Sequence, residues 1–242
     1  MHQELLQTVG RIVESAAQTA LDLRSNLQTE KKQDGSLVTN ADIAAEDILR
    51  AGLTEALPGS TFWGEEGGFA EEGESGIWLV DPIDGTTNFA FGQPLWATSA
   101  GLYADGRLRL GAVCLPELGW LVTGSLGQRP TCNGEPLALL RADRIQCHEP
   151  VGEDDQDPFP IHGKYRHLGS VVVEAMFMAR GMLRAFSSAR CKLYDAAASL
   201  VILRELGAEA RHADGRPLVE SEWLQPCPIE PFVVLPSSDY VL

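Results

Sequence analysis

The chain has 242 residues, 44% of them hydrophobic, which is enough to bury a core in one large domain or two intimately packed ones. Nineteen Lys and Arg against 34 Asp and Glu leave a formal charge of −15, which repels nucleic acid and anionic membranes, so an anionic substrate would need a bound cation. The apolar runs are short, Met1-His2-Gln3-Glu4 lacks the basic start of a secretory signal, and the five widely spaced cysteines form no C-x-x-C pair; a soluble cytoplasmic protein with reduced thiols is expected, with neither a disulfide framework nor a zinc site.

Leu5, Leu6, Val9, Ile12, Val13, Ala16, Ala17, Ala20 and Leu21 recur at helical spacing and predict an amphipathic first helix. The polar stretch from Thr29 to Gly35 leads to Leu37-Val38-Thr39-Asn40-Ala41-Asp42, where Thr39 or Asn40 can cap a second helix running toward Leu57 and ended by Pro58-Gly59. Short β-prone runs follow: Thr61 to Trp63, Ile77 to Val80, Leu95 to Tyr103, Leu108 to Leu115 and Leu121 to Thr123. Asp105-Gly106 is the residue pair that a type I′ hairpin turn prefers, so its flanking strands are expected to be antiparallel.

Residues 141 to 166 are charged and aperiodic, which predicts a long surface connection between an N-terminal α+β half (about 1–140) and a C-terminal α/β half (about 165–242). Gly169-Ser170 opens a helical pattern to about Arg180, and Tyr194-Asp195 opens another that Gly207 closes. The order of strands and helices predicts an α+β or layered α/β sandwich. A dinucleotide fold is disfavoured, because no G-x-G-x-x-G follows a strand.

The most informative segment is Trp78-Leu79-Val80-Asp81-Pro82-Ile83-Asp84-Gly85-Thr86-Thr87-Asn88-Phe89. A buried-type strand runs into two carboxylates, and Pro82 interrupts its regular continuation so that both acids can turn to one point. Converging carboxylates repel unless they share a proton or a cation, and hard oxygen ligands suit Mg²⁺. The Ile83 carbonyl offers a neutral ligand, Gly85 lets a ligand approach the backbone, and Thr86-Thr87-Asn88 resembles a helix start with free N–H groups for a phosphate. Spacing alone leaves another reading open, a strand end followed by an Asp-Gly turn and a capped helix. Glu65 or Glu66 in Gly64-Glu65-Glu66-Gly67-Gly68 is positioned to join the site or to form a solvated acidic loop, while Asp42 and Asp195 stand at helix starts where acids are ordinary.

The segment Asp81-Pro82-Ile83-Asp84-Gly85-Thr86-Thr87-Asn88-Phe89 resembles the inositol monophosphatase family of metal-dependent, lithium-sensitive phosphatases. Leu37 to Asp42, Gly64-Glu65-Glu66, Leu168-Gly169-Ser170 and Tyr194-Asp195-Ala196-Ala197 follow in the family's order, so the resemblance spans nearly the whole chain. It implies a five-layer α-β-α-β-α sandwich, often a homodimer, that hydrolyses the phosphate monoester of a small metabolite. It further implies two or three Mg²⁺ ions held by Glu65, Asp81, Asp84, Asp195 and the Ile83 carbonyl. Glu65 and Thr86 would activate the water, with Asp42 nearby, and Asp84, Gly85, Thr86, Gly169, Ser170 and Ser188 would line the substrate. Ser188 stands where inositol-specific members have a Glu that binds ring hydroxyls, and Tyr194 replaces the usual Trp. Lys31 or Lys32 corresponds to a family lysine near the metals. Histidinol-phosphate or fructose-1,6-bisphosphate phosphatase is the alternative on the same scaffold, with a catalytically silent regulatory protein behind both.

Overall fold

The computed structural model describes residues 2–32, 35–140, 166–189 and 191–237. Helix α1 (His2–Leu23) carries the expected apolar stripe, with Val9, Val13, Ala16, Ala17 and Ala20 fully buried. A small antiparallel hairpin, β1 (Thr29–Lys31) and β2 (Leu37–Thr39), occupies what the sequence presents as a polar stretch. Three-residue strands that are largely exposed carry no alternation to read. Thr39, rather than Asn40, caps α2 (Asn40–Ala56).

The main sheet has seven strands in the order β3-β4-β5-β6-β7-β8-β9. These are β3 (Thr61–Gly64), β4 (Ile77–Asp84), β5 (Ala97–Ala104), β6 (Arg107–Leu115), β7 (Trp120–Ser125), β8 (Gln128–Cys132) and β9 (Glu135–Pro136). Only β3 and β4 are parallel. Asp105 and Gly106 both have positive φ, 52° and 78°, as the type I′ turn between β5 and β6 requires. Strand β5 begins at Ala97 and not at Leu95, because the Leu95 carbonyl accepts the Asn88 side-chain amide at 2.6 Å and is lost to the ladder.

One sheet face packs on α1 and α2 through Trp78, Val80, Ala100, Leu102, Leu110 and Ala112. The other packs on α4 (Val171–Ala179) and α5 (Leu193–Glu205) through Ile77, Leu79, Val113 and Leu115. Strand β4 therefore alternates its apolar side chains between two cores, which explains its uninterrupted hydrophobicity. A second, antiparallel sheet ordered β10-β12-β11 completes the described structure, from β10 (Phe186–Ser188), β11 (Ala208–His212) and β12 (Phe232–Pro236). The described residues thus stack as α-β-α-β, in the order the five-layer sandwich requires. The expected 141–166 connection lies almost wholly outside the described residues, which resume at Arg166. None of the described helices is long and apolar enough to cross a membrane.

The approach of α5 to the sheet is set by glycines. Gly101, Gly111 and Gly124 are cross-strand neighbours on β5, β6 and β7. A Cβ on Gly101 would lie 2.8 Å from Ala197 Cβ, and one on Gly111 would lie 2.3 Å from the Ala198 carbonyl oxygen and 2.8 Å from its Cα. Backbone cannot yield as a side-chain tip can, so Gly111→Ala is expected to lower unfolding free energy by about 2 kcal/mol or more. Trimming Ala198 to Gly leaves the obstructing atoms in place and should not rescue it; urea unfolding of both variants measures this.

Candidate active site

The acids are delivered one by one by ordinary local structure. Thr39 Oγ1 accepts the Ala41 and Asp42 N–H groups at 3.1 and 3.3 Å, while Asp42 Oδ2 accepts the Thr39 N–H at 2.8 Å and its hydroxyl at 2.6 Å. This capping box holds Asp42, fully buried, with its other oxygen 3.4 Å from Thr86 Oγ1.

Strand β4 supplies two more. Its pairing with β5 runs from Asp81↔Ser99 to Asp84↔Ala97, so β4 holds one extra residue and bulges at the Asp81-Pro82 step. Asp81 Oδ1 accepts the Ile83 N–H at 2.9 Å, and the Thr98 hydroxyl donates to the Pro82 carbonyl at 2.7 Å, fixing the bulge from both sides. Gly85, with φ 88°, then turns the chain into the short helix α3 (Thr86–Ala90). A Cβ there would meet Ser170 Cβ at 3.1 Å and the Leu95 carbonyl at 3.2 Å, so only glycine fits. The Thr86 hydroxyl donates back to the Ile83 carbonyl at 3.0 Å.

Asn88 ties this turn to the C-terminal half, donating to the Leu168 carbonyl at 2.8 Å as well as to Leu95. The following Gly169, with φ 75°, lies against the Asn88 side chain. Ser170, the N-cap of α4, then donates its hydroxyl to Asp84 Oδ2, which also accepts the Val172 N–H at 2.7 Å. Asp195 is held at the start of α5 by the Lys192 N–H at 2.6 Å. Glu65 follows β3, its backbone N–H bonded to the Val80 carbonyl at 3.2 Å.

These groups share one electrostatic environment. Burial, followed by the charges of Glu65, Asp84, Asp195 and Asp42, pushes the Asp81 pKa well above the usual carboxylate range. Burial and then Asp84 raise Asp195 in the same way. Asp84 is raised by burial to about 6, against the bonds from Ser170 and Val172. Asp42 is raised by burial to about 7, against its bonds from Thr39. Lys32, rather than Lys31, reaches the cluster: its Nζ lies 2.7 Å from Glu65 Oε1 and 2.6 Å from Glu66 Oε1. Burial opposes its charge, but the two glutamates outweigh burial and hold its pKa above the ordinary value.

As they stand, no three His, Cys, Asp or Glu side chains among the described residues are arranged to hold a metal ion. Asp84 Oδ2, Asp195 Oδ2, Asp81 Oδ1 and Glu65 Oε1 are instead turned to protein donors. The chemistry of the set nevertheless fits a hard divalent cation, being made of carboxylates and a carbonyl that lack positive charge. Ser188 is buried on β10, bonded to the Cys191 thiol, whose pKa burial and then Asp195 push up. Tyr194 is a packed aromatic, edge-on to Trp63 at 5.7 Å. Two contributors to the site have no place in the sequence reading, Thr39 beyond its capping role and Glu46, while of Lys31 and Lys32 it is Lys32 that reaches the acids. Thr39 and Glu46 flank Asp42 on α2 at capping and one-turn spacing, which was the available signal.

A model of the inositol monophosphatase family matches residues 1–231. The chain is 35% identical over 208 residues to an inositol-1-monophosphatase of Mesorhizobium japonicum, covering 78% of this chain and 77% of the relative. It is 35% identical over 136 residues to a histidinol-phosphatase of Chlorobaculum parvum, covering 55% and 52%. The crystal structure of SaIMPase-II with 2′AMP bound, the inositol monophosphatase II of Staphylococcus aureus, superimposes with a TM-score of 0.77 at 27% identity, covering 99% of this chain and 94% of that one.

Asp42 makes metal-free stability depend on pH. Its pKa rises from 3.8 to about 7 on folding, so between those values the folded chain binds more protons than the unfolded one. In EDTA, Asp42's share of stability therefore falls as pH rises through that window. Asp42→Asn should flatten the slope, as urea melts at several pH values would register.

Proposed function

The chain belongs to the inositol monophosphatase family and is a phosphoric monoester hydrolase; from that premise we propose that it hydrolyses the phosphate ester of a small soluble metabolite with Mg²⁺. The observation that carries this reading is the charge imbalance at the end of β4, where buried Asp42 and Asp81 and half-buried Glu65, Asp84 and Asp195 meet and the neighbouring charges raise the Asp81 and Asp195 pKa. Burying like charges costs stability unless a cation or a proton joins them.

In this reading Glu65, Asp81, Asp84, Asp195 and the Ile83 carbonyl hold two or three Mg²⁺ ions. Ions held there would supply positive charge for the phosphate oxygens and the departing alkoxide and would lower the pKa of the attacking water. Glu65 and Thr86 orient that water. The Thr86 hydroxyl donates to the Ile83 carbonyl at 3.0 Å, with Asp42 Oδ1 a longer second acceptor at 3.4 Å, and so presents its lone pairs to the water's proton. Glu65 takes the proton as the water oxygen bonds to phosphorus, the ester P–O bond breaks, and the alkoxide leaves to take a proton from a solvent water, while Glu65 returns its own proton to solvent. The Gly85 and Thr86 N–H groups hold the phosphate, because Gly85 admits a ligand to the backbone. Lys32 holds Glu65 when no cation does so.

Ser188 lines the alcohol side with Gly169 and Ser170. A short neutral hydroxyl in place of a Glu removes an acceptor for ring hydroxyls without touching the acids, so recognition is relaxed while the chemistry is kept. Inositol-1-phosphate, 2′-AMP, histidinol phosphate and fructose-1,6-bisphosphate are the esters to compare. Phosphate release should require Mg²⁺, stop with EDTA, and fall by about 10³ or more in Asp84→Asn. A chain that releases phosphate equally well in EDTA would overturn the reading. Ser188→Glu should raise kcat/KM for inositol-1-phosphate relative to 2′-AMP by about tenfold, the worth of one hydrogen bond to a charged group.

A further inference from the structure

Glu46 is a buried acid that this chemistry does not use. It sits on α2 one turn after Asp42 and is 4% exposed. Its Oε2 accepts the Glu66 backbone N–H at 2.9 Å, and its Oε1 accepts Arg50 Nη2 at 2.7 Å. The Arg50 guanidinium in turn lies over the Phe62 ring of β3, 4.2 Å from its centroid. A Cβ on Gly64 would stand 2.3 Å from Glu46 Oε2, and one on Gly67 would stand 2.5 Å from Oε1. The backbone of the turn thus lies directly on the carboxylate. Gly64-Glu65-Glu66-Gly67 is the sequence this contact permits: glycine where backbone meets Glu46, and acids where the side chains reach Lys32.

We propose that Glu46 is the positioning residue for Glu65, fixing the Gly64–Gly68 turn so that Glu65 stays aimed at the cluster whether Lys32 or a cation is its partner. Like charges on Glu65, Asp81 and Asp84 push Glu65 outward, and a turn held only by Glu65 N–H to Val80 and Gly68 N–H to Gly64 would yield to them. A charge-assisted bond from a helix side chain to the Glu66 N–H resists that push, and α2 already carries Asp42 into the same site. Helix α2 therefore sets two parts of the site at once. The inference rests on the phosphatase reading of that site.

The test uses the full chain and three readouts. In the metal-free protein, Glu46→Ala should speed hydrogen exchange at the Glu66 amide. By calorimetry without substrate, it should weaken Mg²⁺ binding about 10- to 100-fold, with kcat falling comparably and KM for the ester nearly unchanged. Glu46→Gln keeps an acceptor for the Glu66 N–H, and Arg50, 40% exposed, can turn to solvent, so this variant should recover most of all three. Gly64→Ala presses on the same carboxylate from the other side and should reproduce the Glu46→Ala pattern, which covers the case of a Glu46→Ala chain that does not fold. Mg²⁺ affinity and Glu66 exchange left as in the unmodified chain would overturn the proposal, as would Glu46→Gln failing as badly as Glu46→Ala. If the unmodified chain releases no phosphate from any ester, it is the functional reading that fails; amide exchange and Mg²⁺ calorimetry still decide the role of Glu46.

Discussion

Repulsion among buried carboxylates is the constraint around which the molecule is arranged. Asp42, Asp81, Asp84, Asp195 and Glu65 come from four segments, and their charges raise the cost of ionising one another. Groups that repel stay together only if the backbone carrying them cannot move. The fold meets this by placing every acid at a fixed point of secondary structure: in a helix cap, at a strand bulge, at the start of a second helix, or on a turn clamped by Glu46. Asp42, Asp81, Asp84 and Asp195 each accept a backbone or hydroxyl donor and Glu65 accepts the Lys32 ammonium, the kind of bond that favours the charged form. These bonds oppose the upward push that burial gives Asp42, Asp84 and Asp195.

The central strand does two jobs that usually conflict. Its first half, Ile77 to Val80, is buried on both faces and binds the α1/α2 core to the α4/α5 core. Its second half carries charge into the same interior. The bulge at Asp81-Pro82 makes the change possible, because one extra residue turns the side chains out of register while the Thr98 hydroxyl and Asp81 carboxylate satisfy the displaced backbone groups. The close seating of α5 on Gly101 and Gly111 does the corresponding work from the other side, bringing the start of that helix, and Asp195 with it, toward the strand end.

What the sequence discloses depends on whether the physics is local. Helix α2 with a cap at Thr39 or Asn40, the Asp105-Gly106 turn and the Asp81-to-Thr86 motif are written within a few residues of one another and are read directly; the structure selects Thr39. The motif positions come together, although the acids as they stand face protein donors and not one another. Strands β10, β11 and β12 were not foreseen, because each is short and owes its form to partners dozens of residues away. The glycines at 101, 111 and 124 look unremarkable singly, and only the cross-strand register makes them one surface. For Glu46 the sequence offers its one-turn spacing from Asp42 but not its role. Its bonding partner is a backbone N–H on another segment, and backbone groups leave no signature in sequence.

In the proposed function, chemistry and recognition fall to different parts of the chain. In the proposed reading four of the five acids and the water-orienting Thr86 belong to the N-terminal half, where every position is tied into capping, bulge or clamp. Ser188 lies on β10, in the smaller sheet of the C-terminal half. It is bonded to Cys191 in the loop before α5 and to none of the clustered acids. A substitution there can change which alcohol is accepted without loosening any carboxylate. The reverse does not hold, since a change at Asp84 would also release Ser170 and Val172 and with them the start of α4. Divergence of substrate within such a scaffold is therefore easiest at β10, where this chain carries a short hydroxyl instead of an acid.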